Sequence, residues 1–389
     1  MKRFITILSC VCLLFLFLIN TIKPLNVFAN SVDTYKAKSL FLMDYNTNKI
    51  LFENNSQEKM PVASIVKLMT ICLTCEELDC GRLKLDDKII ASEKAASMGG
   101  SQVFIEAGGE YSVGDLLKST IVSSANDASV VLAETIAGSE ENFVVLMNKK
   151  ANDLGLTNTN YVNCTGLPAS NQFSCARDTA ILLKEVTKHS DYHKFSTIWI
   201  DTLKHPKGRE TELVNTNKLI RYFEGCDGGK TGSTNEAGYC LAATAKRNNM
   251  RLIGVVLGAE NGKARFAETS KLLNFGFSNF ENKLVVDKNV SLSKNICILS
   301  GKQGFITANP KENLYVLVEK RNSADEIFTE IKLNKNIKAP IKQGDKLGEI
   351  YVIKNGEIVA QTDIISNSYV EKAGLYDNIA KTINNWKIA

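Results

Sequence analysis

Apolar and polar positions along the first third of the chain predict a sheet followed by a buried helix. Two short apolar runs, 39–44 and 49–52, are separated by Asn46-Thr47-Asn48, which predicts a β-hairpin. The stretch 62–78 is mostly apolar and follows Pro61, a pattern typical of a buried helix that begins just after the proline.

Helical periodicity dominates the middle of the chain, and strand patterns return after it. Apolar residues recur at helical spacing through 113–136, 141–154 and 178–187. Beyond Lys230, two strand-like runs flank a turn at Asn248-Asn249. Strands at both ends with helices between them predict an α/β domain, with an antiparallel sheet flanked by helices and a helical insertion.

A change of pattern near 279–283 predicts a second domain. The helical stretch 266–273 precedes it, and alternating runs such as 314–318 and 348–353 follow, with a hairpin turn at Asn355-Gly356. We therefore expect an α/β domain over residues 30–280 and a small all-β domain over 281–366.

The first 29 residues read as a secretory signal. Lys2 and Arg3 form a charged start, 5–19 is an apolar run, and Val27-Phe28-Ala29 is a small-residue cleavage site. The competing interpretation is an uncleaved membrane span, although the run has about 15 residues where a span needs roughly 20. We expect the protein that follows this segment to be exported and extracytoplasmic.

The last segment, 367–389, predicts an amphipathic helix. Its apolar residues recur at three- and four-residue spacing: Leu375, Tyr376, Ile379, Ala380, Ile383 and Trp386. One interpretation is a helix that lies on the membrane surface, and the alternative is a helix that packs on the β domain. Glu371 and Asp377 leave the segment only weakly positive, so lipid attraction would rest mainly on the apolar face.

Composition and charge exclude nucleic-acid binding. The 389 residues are 44% hydrophobic and 23% charged, which is ordinary globular composition. Removing the signal deletes three basic residues and no acidic one, so the formal charge falls from +5 to +2. No basic footprint for nucleic acid remains.

Eight cysteines remain after the signal, an even number that permits disulfides without requiring them. Cys72, Cys75 and Cys80 could suggest a metal site, but no histidine lies near them in the sequence. Cys72 and Cys75 also fall inside an apolar helical run. We therefore expect buried structural thiols, and neither a metal nor a cofactor.

Ser64 and Lys67 are the first candidates for catalysis. The chain has three histidines, none in a nucleophile-elbow or zinc-type setting, so a serine-histidine-aspartate mechanism is disfavoured. A serine can instead be activated by a neutral lysine, and positions i and i+3 place both side chains on one helix face. Apolar neighbours would desolvate Lys67 and lower its pKa, which would make it a usable base.

The Ser-x-x-Lys spacing alone is weak, because it also occurs at Ser56 and Ser291. Two further motifs that follow Ser64 in the chain make it the preferred candidate. Ser124-Ala125-Asn126 lies downstream, and Lys230-Thr231-Gly232 follows further on. Three ordered motifs together are strong evidence for a serine acyl-enzyme.

These motifs resemble the low-molecular-mass penicillin-binding proteins that act as D-alanyl-D-alanine carboxypeptidases. The resemblance extends over roughly 39–277 to further runs: Pro61-Val62-Ala63-Ser64 with Met69-Thr70, Asp127-Ala128, Met147-Asn148, Thr165-Gly166-Leu167, and Asp227-Gly228-Gly229 with Ala237-Gly238-Tyr239. It implies the penicillin-binding and β-lactamase-like fold, followed by a C-terminal β domain that resembles the family more loosely.

The resemblance also implies roles for the motif residues. Ser64 would attack the peptide carbonyl between two D-alanines, Lys67 would take its proton, and Ser124 would relay a proton to the leaving D-alanine. Five residues would bind the substrate: Asn126, Lys230, Thr231, Gly232 and Ser233. The backbone N–H groups of Ser64 and Ser233 would form the oxyanion hole. Gly229 departs from the larger apolar residue expected before the lysine, which puts the packing of that strand in question.

The expected partners are the stem peptide of peptidoglycan, β-lactam antibiotics as covalent inhibitors, and the membrane surface. Two other functions compete. A serine β-lactamase would need a further carboxylate, and no Glu-x-x-x-Asn occurs between Asn126 and Lys230. A catalytically inactive wall-binding protein is disfavoured by the intact motif residues. A carboxypeptidase of cell-wall peptidoglycan is the preferred hypothesis.

Overall fold

A computed structural model describes residues 35–292, 296–321 and 325–386, with side chains as far as residue 380. The proposed signal, 1–29, lies outside the described residues. Within them, no helix is both long and apolar enough to cross a membrane.

A five-stranded antiparallel sheet forms the centre of the larger region, in the order β2-β1-β9-β8-β7. The chain's first two strands therefore lie beside its later ones, as the pattern of strands at both ends predicts. The strands are Ser39–Asp44 (β1), Ile50–Asn54 (β2), Cys226–Thr234 (β7), Gly238–Arg247 (β8) and Met250–Ala259 (β9). Two short hairpins lie outside this sheet: Lys88–Ile90 (β3) with Glu110–Ser112 (β4), and Ile200–Lys204 (β5) with Glu210–Val214 (β6).

The predicted first hairpin is confirmed, and its turn is fixed by local hydrogen bonds. Asp44 Oδ1 accepts from the Thr47 backbone N–H at 2.8 Å, and the Asp44 N–H donates to Lys49 O at 3.0 Å. Asn48 takes a positive φ of 59°, which asparagine tolerates better than most residues. All six residues of β1 are buried, because helices cover both faces of the sheet.

Helices cover the sheet and form the insertion between its strands. In chain order they are Lys67–Asp79 (α1), Glu93–Ala96 (α2), Val113–Val122 (α3), Asn126–Ala137 (α4), Glu140–Asp153 (α5), Ala176–Val186 (α6), Ser190–Ser196 (α7), Leu219–Tyr222 (α8) and Gly262–Asn279 (α9). A buried apolar core joins α1, α3, α4 and α6 to the sheet.

Two of the predicted helices differ from the structure where the catalytic motifs lie. The helix predicted over 62–78 starts with a 3₁₀ turn, Ala63–Val66, and becomes α-helical only at Lys67. The helix predicted over 113–136 is two helices, because Ser124 takes a φ of +61° and interrupts the hydrogen-bond ladder. Apolar periodicity continues across that break, so the periodicity alone does not reveal it.

The C-terminal region is all β, as predicted. Its strands are Phe280–Val286 (β10), Ile296–Cys297 (β11), Phe305–Ile306 (β12), Ala308–Pro310 (β13), Leu314–Glu319 (β14), Ile327–Leu333 (β15), Lys346–Lys354 (β16) and Glu357–Ser366 (β17). Strands β13, β17, β16 and β15 form one sheet, and Asn355-Gly356 makes the β16–β17 turn. This region has its own apolar core, separate from the core around α1.

Polar contacts join the two regions near Asn279. Asn282 Nδ2 donates to Asp44 Oδ2 at 2.6 Å, and Lys320 Nζ donates to Phe277 O at 2.7 Å. The β region is therefore held against the end of α9 and the start of the central sheet.

The final helix is Leu375–Trp386 (α10), and the residues just before it are tied to the β region. Val370 is buried and exchanges backbone hydrogen bonds with Ile341, while Ala373 N–H donates to Ser300 O. In the helix itself, Leu375 is 74% and Tyr376 87% exposed. The first turn of its apolar face is thus not packed on the β domain.

All eight cysteines in the described part of the chain are free thiols. Cys72 and Cys75 are buried within α1, as expected, whereas Cys80 is exposed just after the helix ends.

Candidate active site

Ser64 lies on a strained turn at the start of the buried helix. Ala63 before it has a φ of +50°, a left-handed conformation that non-glycine residues rarely adopt. The turn is backed by Gly166, whose φ is +82° and where an added Cβ would lie 2.1 Å from the Ala63 carbonyl oxygen. Only glycine fits at this position, so Gly166 fixes the turn that presents Ser64.

Lys67 lies one turn further on, with its amine at the centre of the site. Its Nζ is 3.1 Å from Ser64 Oγ, 2.6 Å from Asn126 Oδ1 and 2.5 Å from Thr165 O. The side chain is fully buried. Burial lowers the pKa of Lys67 to about 7, and Cys164 and Asp127 offset this only in part.

The three neighbours of Lys67 determine where a neutral amine would aim its lone pair. Asn126 Oδ1 and Thr165 O can only accept hydrogen bonds, so they take the two N–H groups of a neutral lysine. The lone pair then faces Ser64 Oγ, the one neighbour that has a proton to give. The geometry thus suits removal of a proton from Ser64.

Asn126 and Asp127 begin α4 and hold a loop over the site. Asn126 Nδ2 donates to Gly99 O at 2.7 Å, which orients its Oδ1 toward Lys67. Asp127 is fully buried and accepts from the backbone N–H groups of Val103 and Ile105. Asp127 thus anchors the loop that Asn126 also contacts.

Ser124 and Lys230 form a second serine–lysine pair. Lys230 Nζ donates to Ser124 Oγ at 2.6 Å, and the positive φ of Ser124 turns the serine out of the helical path. Lys230 is 1% exposed. Burial lowers the pKa of Lys230 well below its ordinary range, and the nearby Lys67 and Arg265 lower it further.

Strand β7 brings the Lys-Thr-Gly motif against the nucleophile turn. A Cβ added at Gly232 would lie 2.5 Å from Val62 O and 3.1 Å from Ser64 N, so glycine permits this close approach. Thr231 is buried, whereas Ser233 is exposed at the open end of the strand. The structure therefore places Ser64, Lys67, Asn126, Ser124, Lys230 and the 231–233 segment around one site.

The departure at Gly229 has a structural reason. Its φ is +134°, and an added Cβ would lie 2.3 Å from the Ala242 carbonyl oxygen on the neighbouring strand. Its N–H donates to the buried Tyr192 hydroxyl at 2.7 Å. A larger residue would not fit here, so the glycine is what allows β7 to pack against β8.

Three contributors to the site were not predicted from the sequence. Thr165 contributes a backbone carbonyl, and Asp127 accepts from the loop amides of Val103 and Ile105. Both lie in runs that resemble the family, but the resemblance assigned neither residue a role. Arg265, on α9, donates to Gly232 O at 3.2 Å and stacks beside Tyr239 and Phe266. Only the fold brings α9 to this strand.

Two open cavities adjoin the site. One, of about 350 Å³, borders the nucleophile turn and is lined by Pro61, Val62, Ala63, the 166–173 loop, Thr234 and Glu236. The other, of about 780 Å³, lies between α8 and α9 and is lined in part by Tyr239, Arg265 and Phe266. The first reaches Ala63, the residue before Ser64.

Two family profiles match the chain in succession. The profile of the D-alanyl-D-alanine carboxypeptidases, peptidase family S11, matches residues 26–261. The profile of the C-terminal domain of penicillin-binding protein 5 matches residues 280–372. Together they cover both regions of the structure.

Known proteins resemble the chain over nearly its whole length. D-alanyl-D-alanine carboxypeptidase DacF of Bacillus subtilis is 43% identical, covering 90% of each chain. DacC of Escherichia coli is 35% identical over 90% of this chain and 88% of its own. The crystal structure of penicillin-binding protein 5 from Haemophilus influenzae superposes with a TM-score of 0.70 at 31% identity, covering 87% of this chain and 98% of that one. The chain therefore belongs to the D-alanyl-D-alanine carboxypeptidases of peptidase family S11, the low-molecular-mass penicillin-binding proteins.

Proposed function

We propose that this D-alanyl-D-alanine carboxypeptidase removes the terminal D-alanine of peptidoglycan stem pentapeptides through an acyl-enzyme on Ser64. The observation that carries the proposal is the position of the buried Lys67 amine, 3.1 Å from Ser64 Oγ and held by two acceptor oxygens. A base whose pKa is about 7 is half neutral near physiological pH, which suits proton abstraction.

In the first step, Ser64 Oγ forms a bond to the carbonyl carbon of the penultimate D-alanine as its proton passes to Lys67. The carbonyl oxygen becomes an oxyanion that the backbone N–H groups of Ser64 and Ser233 would bind. Gly232 supports this arrangement, since it lets the strand approach the Ser64 amide closely.

In the second step, the C–N bond breaks and the departing nitrogen takes a proton. Ser124 would relay to it the proton that Lys67 took from Ser64, which returns Lys67 to its neutral form. Lys230, 2.6 Å from Ser124 Oγ, would help to orient the Ser124 hydroxyl. Water then attacks the ester carbon, Ser64 regains its proton, and the shortened peptide leaves with a new carboxylate. A β-lactam would follow the first step and stay attached as a slowly hydrolysed ester.

Substrate recognition would centre on the free C-terminal carboxylate. Lys230 and Thr231 would bind it, and Asn126 would bind the peptide backbone. Burial disfavours the charged form of Lys230 in the free enzyme, so a bound carboxylate would raise its pKa and draw in a proton. Carboxylate binding and protonation of Lys230 are therefore coupled.

The proposed acyl-enzyme mechanism is tested by product release from a D-alanyl-D-alanine pentapeptide. We expect the wild-type enzyme to release one D-alanine per peptide, and Lys67→Arg to lose on the order of 10²- to 10⁴-fold in rate, because a guanidinium stays protonated and cannot act as a base. Activity of Lys67→Arg within a few-fold of wild type would refute the role of Lys67.

We further propose that the enzyme is exported and that α10 holds it on the extracytoplasmic face of the cell membrane. The exposure of Leu375, Tyr376 and Ile379 on the first turns of that helix supports a lipid-facing role over packing on the β domain. The apolar run and small-residue site of 1–29 support export.

A further inference from the structure

Outside the catalytic site, three side chains of the types that ligate metals meet on the C-terminal half of α1. Cys72 and Glu76 lie four residues apart on this helix, so they share one face. His189, just before α7, packs against that face. The Cys72 Sγ, a Glu76 carboxylate oxygen and one ring nitrogen of His189 all lie within 4.8 Å of one another.

His189 is set up as a ligand by its other ring nitrogen. Its Nδ1 lies 2.6 Å from Asp79 Oδ2, and because a carboxylate only accepts, Nδ1 carries the proton. In the neutral form of the ring, Nε2 then has a free lone pair. His189 is 93% buried, being 7% exposed, and its Nε2 has no hydrogen-bond partner. When a histidine binds zinc through one ring nitrogen, the other ring nitrogen usually donates its N–H to a carboxylate or another acceptor.

We propose that Cys72, Glu76 and His189 Nε2 bind a divalent transition metal ion, with zinc as the best match. Sulfur, nitrogen and carboxylate oxygen are the three ligand types that zinc takes in proteins. One thiolate and one carboxylate balance the two positive charges of the ion, so the loaded site would be neutral within a buried environment. Asp79 is a positioning residue that holds the histidine ring.

Binding requires one proton to leave. The metal forms a bond to Cys72 sulfur, and the thiol proton passes to solvent. Without a metal, Cys72 is a free thiol buried within α1. Glu76 is 29% exposed in its side chain, which gives the ion an approach from solvent.

Glu76 already has a cationic partner that metal binding need not displace. Lys150 is ion-paired with Glu76 Oε1 and lies 3.6 Å from Glu185 Oε1. A carboxylate has two oxygens, so Glu76 can bind the ion through one and keep Lys150 on the other. The metal would thus fasten α1, which carries Lys67 at its first position, to the segment between α6 and α7.

The sequence analysis predicted no metal site here, because Cys72 and Cys75 have no neighbouring histidine in the chain. His189 is 110 residues from its partner Asp79. The fold alone brings the ring to the helix.

The test uses the metal-stripped full-length enzyme and the metal alone. Titration with Co²⁺ should produce thiolate-to-cobalt charge-transfer absorption, and Zn²⁺ calorimetry in buffers of different ionisation enthalpy should show one ion bound with about one proton released. Zinc at about 100-fold above Kd should raise the unfolding midpoint by about 4 °C.

Variants separate this site from adventitious binding. Cys72→Ser should abolish the cobalt–thiolate band, His189→Gln should weaken zinc binding by at least 100-fold, and Asp79→Asn by about 10- to 100-fold. The matched controls are Cys75→Ser, a buried thiol on the same helix outside the cluster, and His193→Gln; both should bind zinc as wild type does.

Penicillin acylation checks that each variant is folded, since none of these residues touches the catalytic site. A wild-type Kd for zinc weaker than about 100 µM, which is roughly 5.5 kcal/mol of binding, would overturn the proposal. So would a cobalt–thiolate band that survives in folded Cys72→Ser, or one that Cys75→Ser removes.

Discussion

Lys67 Nζ lies 2.6 Å from Asn126 Oδ1, although 59 residues separate them in the chain. This contact joins the Ser-x-x-Lys and Ser-x-Asn motifs into one unit. It also makes Asn126 part of the environment that sets the protonation of the proposed base, in addition to any contact with substrate.

We therefore predict that the acylation rate depends on pH through Lys67. The base must be neutral to accept a proton, so the rate should rise with pH through about 7 and level off above it. Asn126→Asp would place a negative charge beside the amine, favour its protonated form and move this midpoint to higher pH.

The measurement is the second-order rate of penicillin acylation from pH 5 to 10 for wild type, Asn126→Asp and Asn126→Ala. The alanine variant is the control for lost substrate contacts, because it adds no charge and should not raise the midpoint. A midpoint in Asn126→Asp equal to or below that of wild type would contradict the assignment of the titrating group to Lys67.

A second prediction concerns the glycine behind the nucleophile. Gly166→Ala would force a Cβ to within 2.1 Å of the Ala63 carbonyl and so displace the turn that carries Ser64. A misplacement near 1 Å can cost about 100-fold in rate, so acylation should fall by roughly that factor.

Gly155→Ala is the matched control for Gly166→Ala. Gly155 also has a positive φ, of +70°, but an added Cβ there meets nothing within 4 Å. It should lose about 1 to 2 kcal/mol of stability from the left-handed conformation and keep its acylation rate. Comparable acylation by the two folded variants would show that the turn does not depend on Gly166.

A third prediction separates the carboxylate contact from the rest of the motif. Lys230→Ala should reduce kcat/KM by on the order of 10- to 100-fold for a peptide ending in a free carboxylate, since it removes a charge-assisted hydrogen bond. The C-terminal amide of the same peptide should lose much less. Equal losses on both substrates would assign Lys230 to orienting Ser124 alone, 2.6 Å away.

A fourth prediction concerns α10 and uses a C-terminal truncation whose end point follows from the structure. Val370 is buried and paired with Ile341, so truncation must fall after Gly374 to leave the β region intact. Deleting 375–389 should release the enzyme from membranes with its activity on a soluble peptide unchanged.

Ile379→Asp in the full chain is the companion test of the apolar face, because a charge there opposes burial in lipid. It should reduce binding to phosphatidylglycerol-containing vesicles, whereas Asn378→Gln should not. Retention of the truncated enzyme on the membrane, with normal activity, would exclude the helix as the anchor.

The sequence predicted the fold class and the order of elements because both rest on local patterns. The first hairpin, the buried helix and the β16–β17 turn all follow from alternation, apolar runs and turn residues between 39 and 356. The ordered motifs single out Ser64, Lys67, Ser124, Asn126 and Lys230, and the structure places these five residues around one site.

What the sequence could not supply were contacts made by backbone atoms and by distant elements. The hydrogen bond between Lys67 and the Thr165 carbonyl oxygen has no side-chain signature in the sequence. The helix breaks at Ser124 although the apolar periodicity of the sequence continues across that position. His189 reaches α1 only because α6 and α7 fold back along it. Each of these depends on tertiary packing.

The covalent bond to Ser64 is the central claim, and mass spectrometry of the penicillin-treated enzyme tests it most directly. We predict one adduct, located on the peptide that contains Ser64, and none in Ser64→Ala although that variant unfolds at the wild-type temperature. An adduct on the peptide that contains Ser124, or undiminished labelling of folded Ser64→Ala, would contradict the account.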